Sequence, residues 1–455
     1  MLAVETPVSP GPPVPPPPAS LSETGLSGDF VEQLTLKALY SGEATGTGIA
    51  ERVRLPYALI EPIIEHARAE RLIEVRGTGG GTGTAAYRYA LTDFGRDRTR
   101  QYLNVCEYIG PAPVPLSQYA SYMKQVNSGR GYMIRERIAD GFTHLVVNPT
   151  MLDQLGPAIN SGKSLFLYGP PGNGKTVVAE GIGRTLGGEL FVPYALDVDG
   201  QIITMFDPVN HRSLESGNAG LPAGLGAADA GQPALLAPFA SDRRWQRIKR
   251  PVVVVGGELV LEMLDLSFNP ISKFYEAPVQ LKANGGVFVV DDFGRQRVPA
   301  RDLLNRWIVP LESRVDYLSL HTGRKFEVPF DVLVIFATNL QPETLADEAF
   351  LRRIPYKIYA RNPSPEEYSR IFELNCRRHG IAFDPVIVDY LQRRYYQPRK
   401  IDMRACHPRD LVEQVVDICR YQGRPAALSR ELLDAACRSY FLEEQSSQGN
   451  EVRLK

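Results

Sequence analysis

A glycine-rich stretch, GPPGNGKT at residues 169–176, contains the residue types that bind phosphate. It follows the apolar run LFLY and precedes a segment with helical spacing. Glycines let a backbone wrap around an anion with its N–H groups pointing inward, and the positive end of the next helix faces the same anion. Lys175 is expected to reach the outer phosphates of a nucleotide, and Thr176 offers a hydroxyl group to Mg²⁺. The predicted nucleotide-binding residues are Gly169, Pro170, Pro171, Gly172, Asn173, Gly174, Lys175, Thr176 and Val177.

Two adjacent carboxylates, Asp291 and Asp292, end a second apolar run, VFVV at 287–290. A carboxylate at the end of a buried strand can hold Mg²⁺, and a second one can polarise the attacking water. We therefore predict that Asp291 holds the metal ion together with Thr176, and that Asp292 faces the water. The alternative is a core strand that ends in a solvated acidic turn, which the phosphate-binding stretch upstream disfavours.

A third apolar run, VLVIFAT, ends at Asn339. An amide at this place can orient the attacking water and sense the outer phosphate, although Asn339 could also simply begin a turn before Pro342. Arg352 and Arg353 end a short helical segment, and Arg409 lies near the start of a later helix. Taken singly, an arginine is more often a surface charge or an ion-pair partner than a catalytic group.

The order of these motifs, GPPGNGKT, VVDD, ATN, FLRR and PRDL, resembles the AAA+ ATPase superfamily over residues 133–445. The resemblance implies ATP with Mg²⁺ as cofactors, a Walker A motif at Lys175 and Thr176, and a Walker B motif at Asp291 and Asp292. Asn339 looks like sensor 1, and Arg409 looks like sensor 2. Either Arg352 or Arg353 would be the arginine finger, which acts on the nucleotide of a neighbouring subunit. The implied catalytic residues are Lys175, Asp292, Asn339, Arg352, Arg353 and Arg409.

Two features depart from the family pattern. Asp292 stands where the family commonly has Glu, and a displacement on the order of 1 Å can lower a rate about a hundredfold. Slow hydrolysis is therefore expected, with a nucleotide-locked assembly as the alternative.

The core also carries extra residues at about 191–285, where Phe274 and Tyr275 are candidates for a pore loop and equally for core packing. A predicted β-hairpin before the sensor strand is similar to the MoxR-like and McrB-like branch.

The elements that position these residues predict an α/β protein: a P-loop NTPase parallel-sheet core, a C-terminal helical lid and an N-terminal winged-helix-like α+β domain. The predicted parts are a proline-rich disordered tail at 1–20, the winged-helix-like domain at 21–105, a linker at 106–132, the ATPase core at 133–360, and the lid with a C-terminal tail at 361–455. An alternative for the tail is a docking motif for a proline-recognition domain.

The predicted winged helix could bind DNA through the helix near Pro56, with Arg76 and Arg88 on phosphates. That helix carries Glu61 and Glu65 among its basic residues, which is unfavourable for phosphate. Protein docking is therefore preferred over DNA binding through residues 21–105.

The 455 residues carry a net charge of −1, so a global basic field for nucleic acid or membrane is excluded. The five cysteines are widely spaced, which is typical of a reducing compartment. No leader or membrane-spanning apolar run is recognised, so a cytoplasmic protein without membrane contact is expected. The resemblance implies a homo-oligomeric ring, expected to be a hexamer, that remodels a protein client. A DNA-binding nucleotide-gated regulator and a pseudoenzyme scaffold remain alternatives.

Overall fold

The computed structural model describes residues 11–80, 83–129, 131–214 and 241–441. An N-terminal module comes first, with the elements α1 (Leu21–Thr24), α2 (Gly28–Tyr40), β1 (Ala44–Thr45), α3 (Gly46–Val53), α4 (Tyr57–Ala69), β2 (Ile73–Thr78), β3 (Tyr87–Leu91) and α5 (Asp93–Val105). Its sheet is antiparallel in the order β1-β3-β2. The structure thus contains the helices and the β-hairpin that the sequence predicts for this region.

The following part of the chain mixes strands and helices. Its elements are β4 (Val114–Pro115), α6 (Leu116–Ser128), α7 (Arg135–Gly141), α8 (Pro149–Ser161), β5 (Leu165–Tyr168), α9 (Lys175–Leu186), β6 (Glu189–Pro193), β7 (Ala195–Val198), β8 (Gln201–Thr204), β9 (Trp245–Lys249), β10 (Val252–Val255), β11 (Ser267–Phe268), β12 (Tyr275–Glu276), α10 (Val279–Lys282), β13 (Val287–Val290), α11 (Ala300–Arg306), α12 (Ile308–Ser313), β14 (Val315–Ser319), β15 (Lys325–Pro329), β16 (Leu333–Thr338), α13 (Pro342–Leu345), α14 (Glu348–Leu351) and β17 (Tyr356–Tyr359).

The described chain ends in a helical segment. Its helices are α15 (Pro365–Arg378), α16 (Pro385–Leu391), α17 (Gln397–Arg399), α18 (His407–Tyr421) and α19 (Arg430–Tyr440). Ser364 and Glu367 form a capping box that satisfies the first N–H groups of α15. Phe372, Leu411 and Leu433 meet in the buried core of this segment, so the helices pack as one unit.

Five parallel strands form the central sheet, in the order β10-β13-β16-β5-β17. Every residue of β13 and β16 is buried, which is the pattern of parallel strands covered on both faces. Ile182 of α9 packs with Val289 on one face, and Leu303 of α11 packs with Phe288 on the other. The predicted α/β P-loop core with a C-terminal helical lid is confirmed.

A second sheet, in the order β11-β12-β8-β7-β4, forms the inserted subdomain together with the β6–β9 pair, α6 and the β14–β15 hairpin. The hairpin predicted before the sensor strand is present, with Val315 opposite Pro329 and Ser319 opposite Lys325. Leu318 of this hairpin is buried in the subdomain core. The hairpin is therefore packed against the insertion.

The predicted insertion at 191–285 is wrong in one respect, because it contains a strand of the central sheet. Val252 to Val255 of β10 pair in parallel with Val287 to Val290 of β13. A run of four valines is equally suited to either sheet, so only the pairing partner decides its place. The extra material is thus divided into two stretches around β10.

The predicted linker at 106–132 is also wrong for residues 114–128. Val114 pairs in parallel with Leu196 of β7, and Tyr119, Tyr122 and Met123 of α6 are buried in the inserted subdomain. The prolines around this segment favoured a connection, but Pro115 only precedes the first turn of α6, where a missing N–H costs little.

The disordered tail predicted at 1–20 is wrong for residues 11–20, which lie in an extended segment against the inserted subdomain. Pro15 and Pro18 are buried, and Pro15 O accepts a 2.9 Å hydrogen bond from Asp242 N–H. Residues 1–10 and the C-terminal tail after residue 441 lie outside the described residues.

The pore-loop interpretation of Phe274 and Tyr275 is not supported, because Tyr275 is buried and Phe274 is partly buried against other aromatic rings. Phe274 contacts Tyr108 edge-to-face at 5.7 Å, and Tyr275 is 1% exposed with its hydroxyl bonded to His321. The same contacts join the N-terminal module to the inserted subdomain, where Glu107 N–H donates to Ser272 O at 2.8 Å.

Every helix within the described residues is too short or too polar to cross a lipid bilayer.

Candidate nucleotide-binding site

The register of the central sheet brings the predicted motifs to one edge. Val290 pairs with Phe336, and Tyr168 pairs with Thr338, so these strands end at nearly the same level. Asp291, Asn339 and the glycine loop follow directly after those ends. Parallel strands thus deliver groups that are far apart in sequence to one place, as the sequence predicts.

The glycine loop needs its glycines for conformational reasons. Gly169, Gly172 and Gly174 have φ values of +141°, +81° and +72°, which side-chain-bearing residues rarely adopt. A Cβ at Gly169 would collide with the carbonyl oxygen of Ala360, and one at Gly172 would lie 2.6 Å from Cys406 Sγ. Gly174 precedes α9, so the first N–H groups of that helix face the loop.

The lid is joined to the glycine loop by direct hydrogen bonds. Cys406 N–H donates to Gly172 O at 2.8 Å. Asn173 bridges the two parts, because its amide donates to Asn362 Oδ1 at 2.8 Å while its oxygen accepts from Ala405 N–H at 3.3 Å. Any movement of the lid therefore alters the phosphate-binding loop.

Lys175 lies at the centre of the site and is buried. Its Nζ donates to Gly169 O and Pro170 O, each at 3.0 Å, and to Asn339 Oδ1 at 2.6 Å. Burial lowers the pKa of Lys175, and the carboxylates of Asp291 and Asp292 oppose that shift. The ammonium group thus stands where it can attract phosphate oxygens.

The two predicted carboxylates have different partners. Thr176 Oγ1 donates to Asp291 Oδ2 at 2.7 Å, so the two predicted metal-binding groups are in contact. Asn339 Nδ2 donates to Asp292 Oδ1 at 3.3 Å. Asn339 therefore joins Lys175 to Asp292, and the structure brings together five of the residues singled out in the sequence.

Asp292 adopts a left-handed backbone conformation with a φ of +48°. The turn around it is held by Gln296, whose Nε2 donates to Asp291 O at 2.9 Å and whose Oε1 accepts from Gly294 N–H at 2.8 Å. Sequence reasoning missed Gln296, because no general motif places an amide four residues after the carboxylate.

A cavity of about 640 Å³ extends from the glycine loop toward the lid. Beyond the predicted residues, it is lined by His144, Leu145, Val146, Val147, Val178, Arg295, Ile371, Leu374, Asn375, Arg378, Ala405 and Cys406. Arg378 donates to His144 O at 3.1 Å, which connects the two walls. These residues carry no local sequence signal, since they come from separate segments that only the lid brings together.

The three predicted arginines have different surroundings. Arg409 lines the cavity and forms an ion pair with Asp410 at 2.8 Å. Arg352 and Arg353 are not among the lining residues. Arg353 pairs with Glu312 at 3.1 Å, whereas Arg352 is exposed and its guanidinium has no ion-pair partner among the described residues.

The residues present fit a nucleotide with Mg²⁺. The Thr176 hydroxyl and the Asp291 carboxylate are hard oxygen ligands of the type that Mg²⁺ prefers, and the loop offers N–H groups and Lys175 to phosphates. Lys175, Thr176, Asp291, Asp292 and Asn339 lie together at the ends of the parallel strands, and Arg409 lines the same cavity. The core has a P-loop NTPase type of fold, a five-stranded parallel sheet followed by a helical lid.

Comparison with known proteins adds the following. Residues 364–439, which lie within the C-terminal helical lid, match a domain of unknown function, DUF8689. The comparison with curated proteins gave no match.

Several solved structures are similar to the chain. NtrX from Brucella abortus is 15% identical with a TM-score of 0.40, and 73% of this chain aligns with 64% of that chain. NtrX in complex with ATP gives 15% identity and a TM-score of 0.39, with 73% and 63% covered. The RuvB Holliday junction branch migration motor of Thermotoga maritima is 12% identical with a TM-score of 0.34, and 72% of each chain is covered. This chain thus spans about 64% of the length of the NtrX structure.

Proposed function

We propose that this chain binds ATP with Mg²⁺, hydrolyses ATP slowly, and acts within a homo-oligomeric ring, expected to be a hexamer, that remodels a protein client. The observation that carries the proposal is the contact of Asn339 with both Lys175 and Asp292. The amide, the ammonium group and the carboxylate that would orient water, bind phosphate and act as base lie together at one end of the parallel strands. Such an assembly suits phosphoryl transfer, which depends on positioning and charge stabilisation.

Each residue has a defined part in this proposal. Lys175 and the loop N–H groups would hold the phosphates, and Thr176 and Asp291 would hold Mg²⁺, which neutralises charge on the phosphate oxygens when it is bound. Asp292 would accept the proton of the attacking water, and Asn339 would orient that water. Arg409 would connect the state of the phosphates to the lid.

We assign the arginine finger to Arg352. A finger must reach the site of a neighbouring subunit, so it needs a guanidinium that is free of strong partners in its own chain. Arg352 is exposed and without an ion pair among the described residues, whereas Arg353 is held by Glu312.

A protein client is favoured because charges on the N-terminal module are neutralised within it. Arg68 pairs with Glu65 at 2.9 Å, Arg76 pairs with Glu74 at 2.6 Å, and Arg88 pairs with Glu43 at 2.9 Å. Phosphate contact needs unpaired cations in an array. Salt-dependent retention of duplex DNA by the whole chain would instead support the DNA-binding regulator.

The location proposed is the cytoplasm. All five cysteines are free thiols in the structure, which suits a reducing compartment.

The experiment that tests the proposal is phosphate release from Mg²⁺-ATP across a range of protein concentrations. Turnover per subunit should rise with concentration as the ring assembles. Lys175→Ala should lose ATP binding, whereas Asp292→Asn should keep it and lose turnover about a hundredfold, because a general base contributes on the order of 10²–10⁴. Wild-type protein that binds ATP and releases no more phosphate than Lys175→Ala would refute hydrolysis and leave the nucleotide-gated switch.

A further inference from the structure

The extended proline-rich segment at residues 12–18 buries two prolines that are three residues apart. Pro15 and Pro18 are buried, whereas Pro16 is exposed and Val14 is 53% exposed. A polyproline II helix has three residues per turn, so residues 12, 15 and 18 lie on one face. Consecutive prolines favour this conformation because the ring fixes φ and each proline restricts the residue before it.

Aromatic side chains line the same cavity as this segment. Tyr122 of α6 and Trp245 of β9 are each 5% exposed, and their rings lie 4.8 Å apart. Together with the proline-rich segment they line a cavity of about 470 Å³, whose other wall is formed by Ser117, Gln118, Ser121 and Gln125 of α6. Aromatic surfaces of this kind are how proteins recognise polyproline segments.

One hydrogen bond fixes the segment along the groove. Proline has no N–H group, so a groove can recognise such a backbone only through its carbonyl oxygens. Asp242 N–H donates to Pro15 O at 2.9 Å, at the centre of the segment. The bond therefore holds the backbone of the segment at Pro15.

The donor at Asp242 is held by contacts that do not involve the segment. Arg244 is 2% exposed and binds the Asp242 carboxylate at 2.8 Å. The same guanidinium donates to Thr24 O at 2.9 Å and to Gln118 Oε1 at 3.2 Å. We therefore expect the groove to keep its shape when the segment leaves.

We propose that α6, Asp242 and Trp245 form a polyproline-recognition groove, which residues 12–18 of the same chain occupy as a built-in ligand. The tether gives this ligand a high effective concentration, in the mM range for a short flexible linker. The groove is thus closed to weaker ligands, and it opens to a proline-rich peptide of the same three-residue spacing once the built-in segment is displaced.

The test uses the whole chain and a fluorescent peptide with the sequence GPPVPPPPAS, residues 11–20. The variant Pro15→Ala/Pro18→Ala removes both buried rings and should release the segment. Its matched control, Pro13→Ala/Pro16→Ala, also removes two prolines but leaves the buried face intact. Fluorescence anisotropy should show saturable peptide binding to the first variant that is at least tenfold tighter than to the control or to wild type.

A second arm varies the peptide instead of the protein. The Pro15→Ala/Pro18→Ala peptide should bind the Pro15→Ala/Pro18→Ala chain at least tenfold more weakly than the wild-type peptide does. The Pro13→Ala/Pro16→Ala peptide should bind that chain with an affinity within about threefold of the wild-type peptide's. If the double variant does not fold, a chain with Pro18→Ala alone can be compared with wild type, and the difference in peptide affinity should have the same sign but be smaller. The proposal would be overturned if the folded Pro15→Ala/Pro18→Ala chain did not bind the peptide, or if all chains bound it with equal affinity.

Discussion

The short carboxylate at Asp292 has an explanation at the residue scale. Its backbone is left-handed, with a φ of +48°, a region in which Asp and Asn are several times more frequent than most residues. The turn is further held by Gln296. The geometry of this turn, rather than the length of the side chain alone, sets where the carboxylate stands relative to Asn339.

A second residue-scale feature predicts a pH dependence. His407 is buried in the lid, with its Nδ1 2.9 Å from Tyr396 Oη. Burial and then Arg404 lower the pKa of His407 from 6.5 to about 4. As the pH falls below about 6.5, the unfolded chain takes up this proton before the folded chain does. The folded state therefore loses stability down to pH 4, by at most about 3 kcal/mol.

The prediction is checked by urea unfolding at pH 7 and pH 4.5. Wild type should lose more stability over this interval than His407→Gln, which has no proton to gain there. His379→Gln, a change at an exposed lid histidine, serves as the control and should follow wild type. If the stability of wild type and of His407→Gln changed equally with pH, His407 would not be the group responsible for the loss of stability.

At the element scale, the inserted subdomain is built from segments that are distant in sequence. β4 pairs with β7, and β12 pairs with β8, so residues near 114, 196, 203 and 275 share one sheet. Arg244 joins Asp242 to α6 within this subdomain, and it also joins the subdomain to the N-terminal module. Its removal should loosen three parts of the chain at once.

Arg244→Met should destabilise the protein by about 3–5 kcal/mol, because Asp242 would remain buried without its partner. Arg247→Met is the matched control, since Arg247 pairs with Glu189 while its side chain is 50% exposed. That exposed pair should contribute less than about 1 kcal/mol. Chemical denaturation followed by tryptophan fluorescence measures the free energy of unfolding of both variants. Similar losses of stability in the two variants would show that the buried Arg244–Asp242 ion pair contributes no more than the exposed Arg247–Glu189 pair.

The whole molecule is proposed to work as a ring, which places the catalytic arginine of each subunit in its neighbour. Arg352→Ala should therefore keep ATP binding and lose turnover by about a thousandfold or more. Arg353→Ala should have a much smaller effect, because its ion pair with Glu312 is partly exposed.

Mixing variants tests whether Arg352 acts between subunits. Arg352→Ala has an intact nucleotide site, and Lys175→Ala has an intact finger. A mixture of the two should recover phosphate release that neither variant shows alone. Arg352→Ala at wild-type rate, or a mixture without recovery, would show that this arginine is not the finger.

The amino-acid sequence by itself indicated that the glycine loop at 169–176, the carboxylates Asp291 and Asp292, and the amide of Asn339 would lie together. These groups follow strand ends or begin helices, so local periodicity and spacing are enough to place them. The central sheet and the lid followed from the same patterns. Asp291, Asp292, Asn339 and Lys175 therefore meet where the sequence predicts.

Only the tertiary structure decided which segments belong together. The valines of β10 and the prolines before α6 fit more than one local structure, and long-range pairing chose among them. The same is true of Phe274, whose ring packs against Tyr108, and of Pro15, whose carbonyl oxygen is bound by Asp242 N–H. These contacts join residues far apart in the chain, and no local pattern of residue types encodes a partner at such a distance.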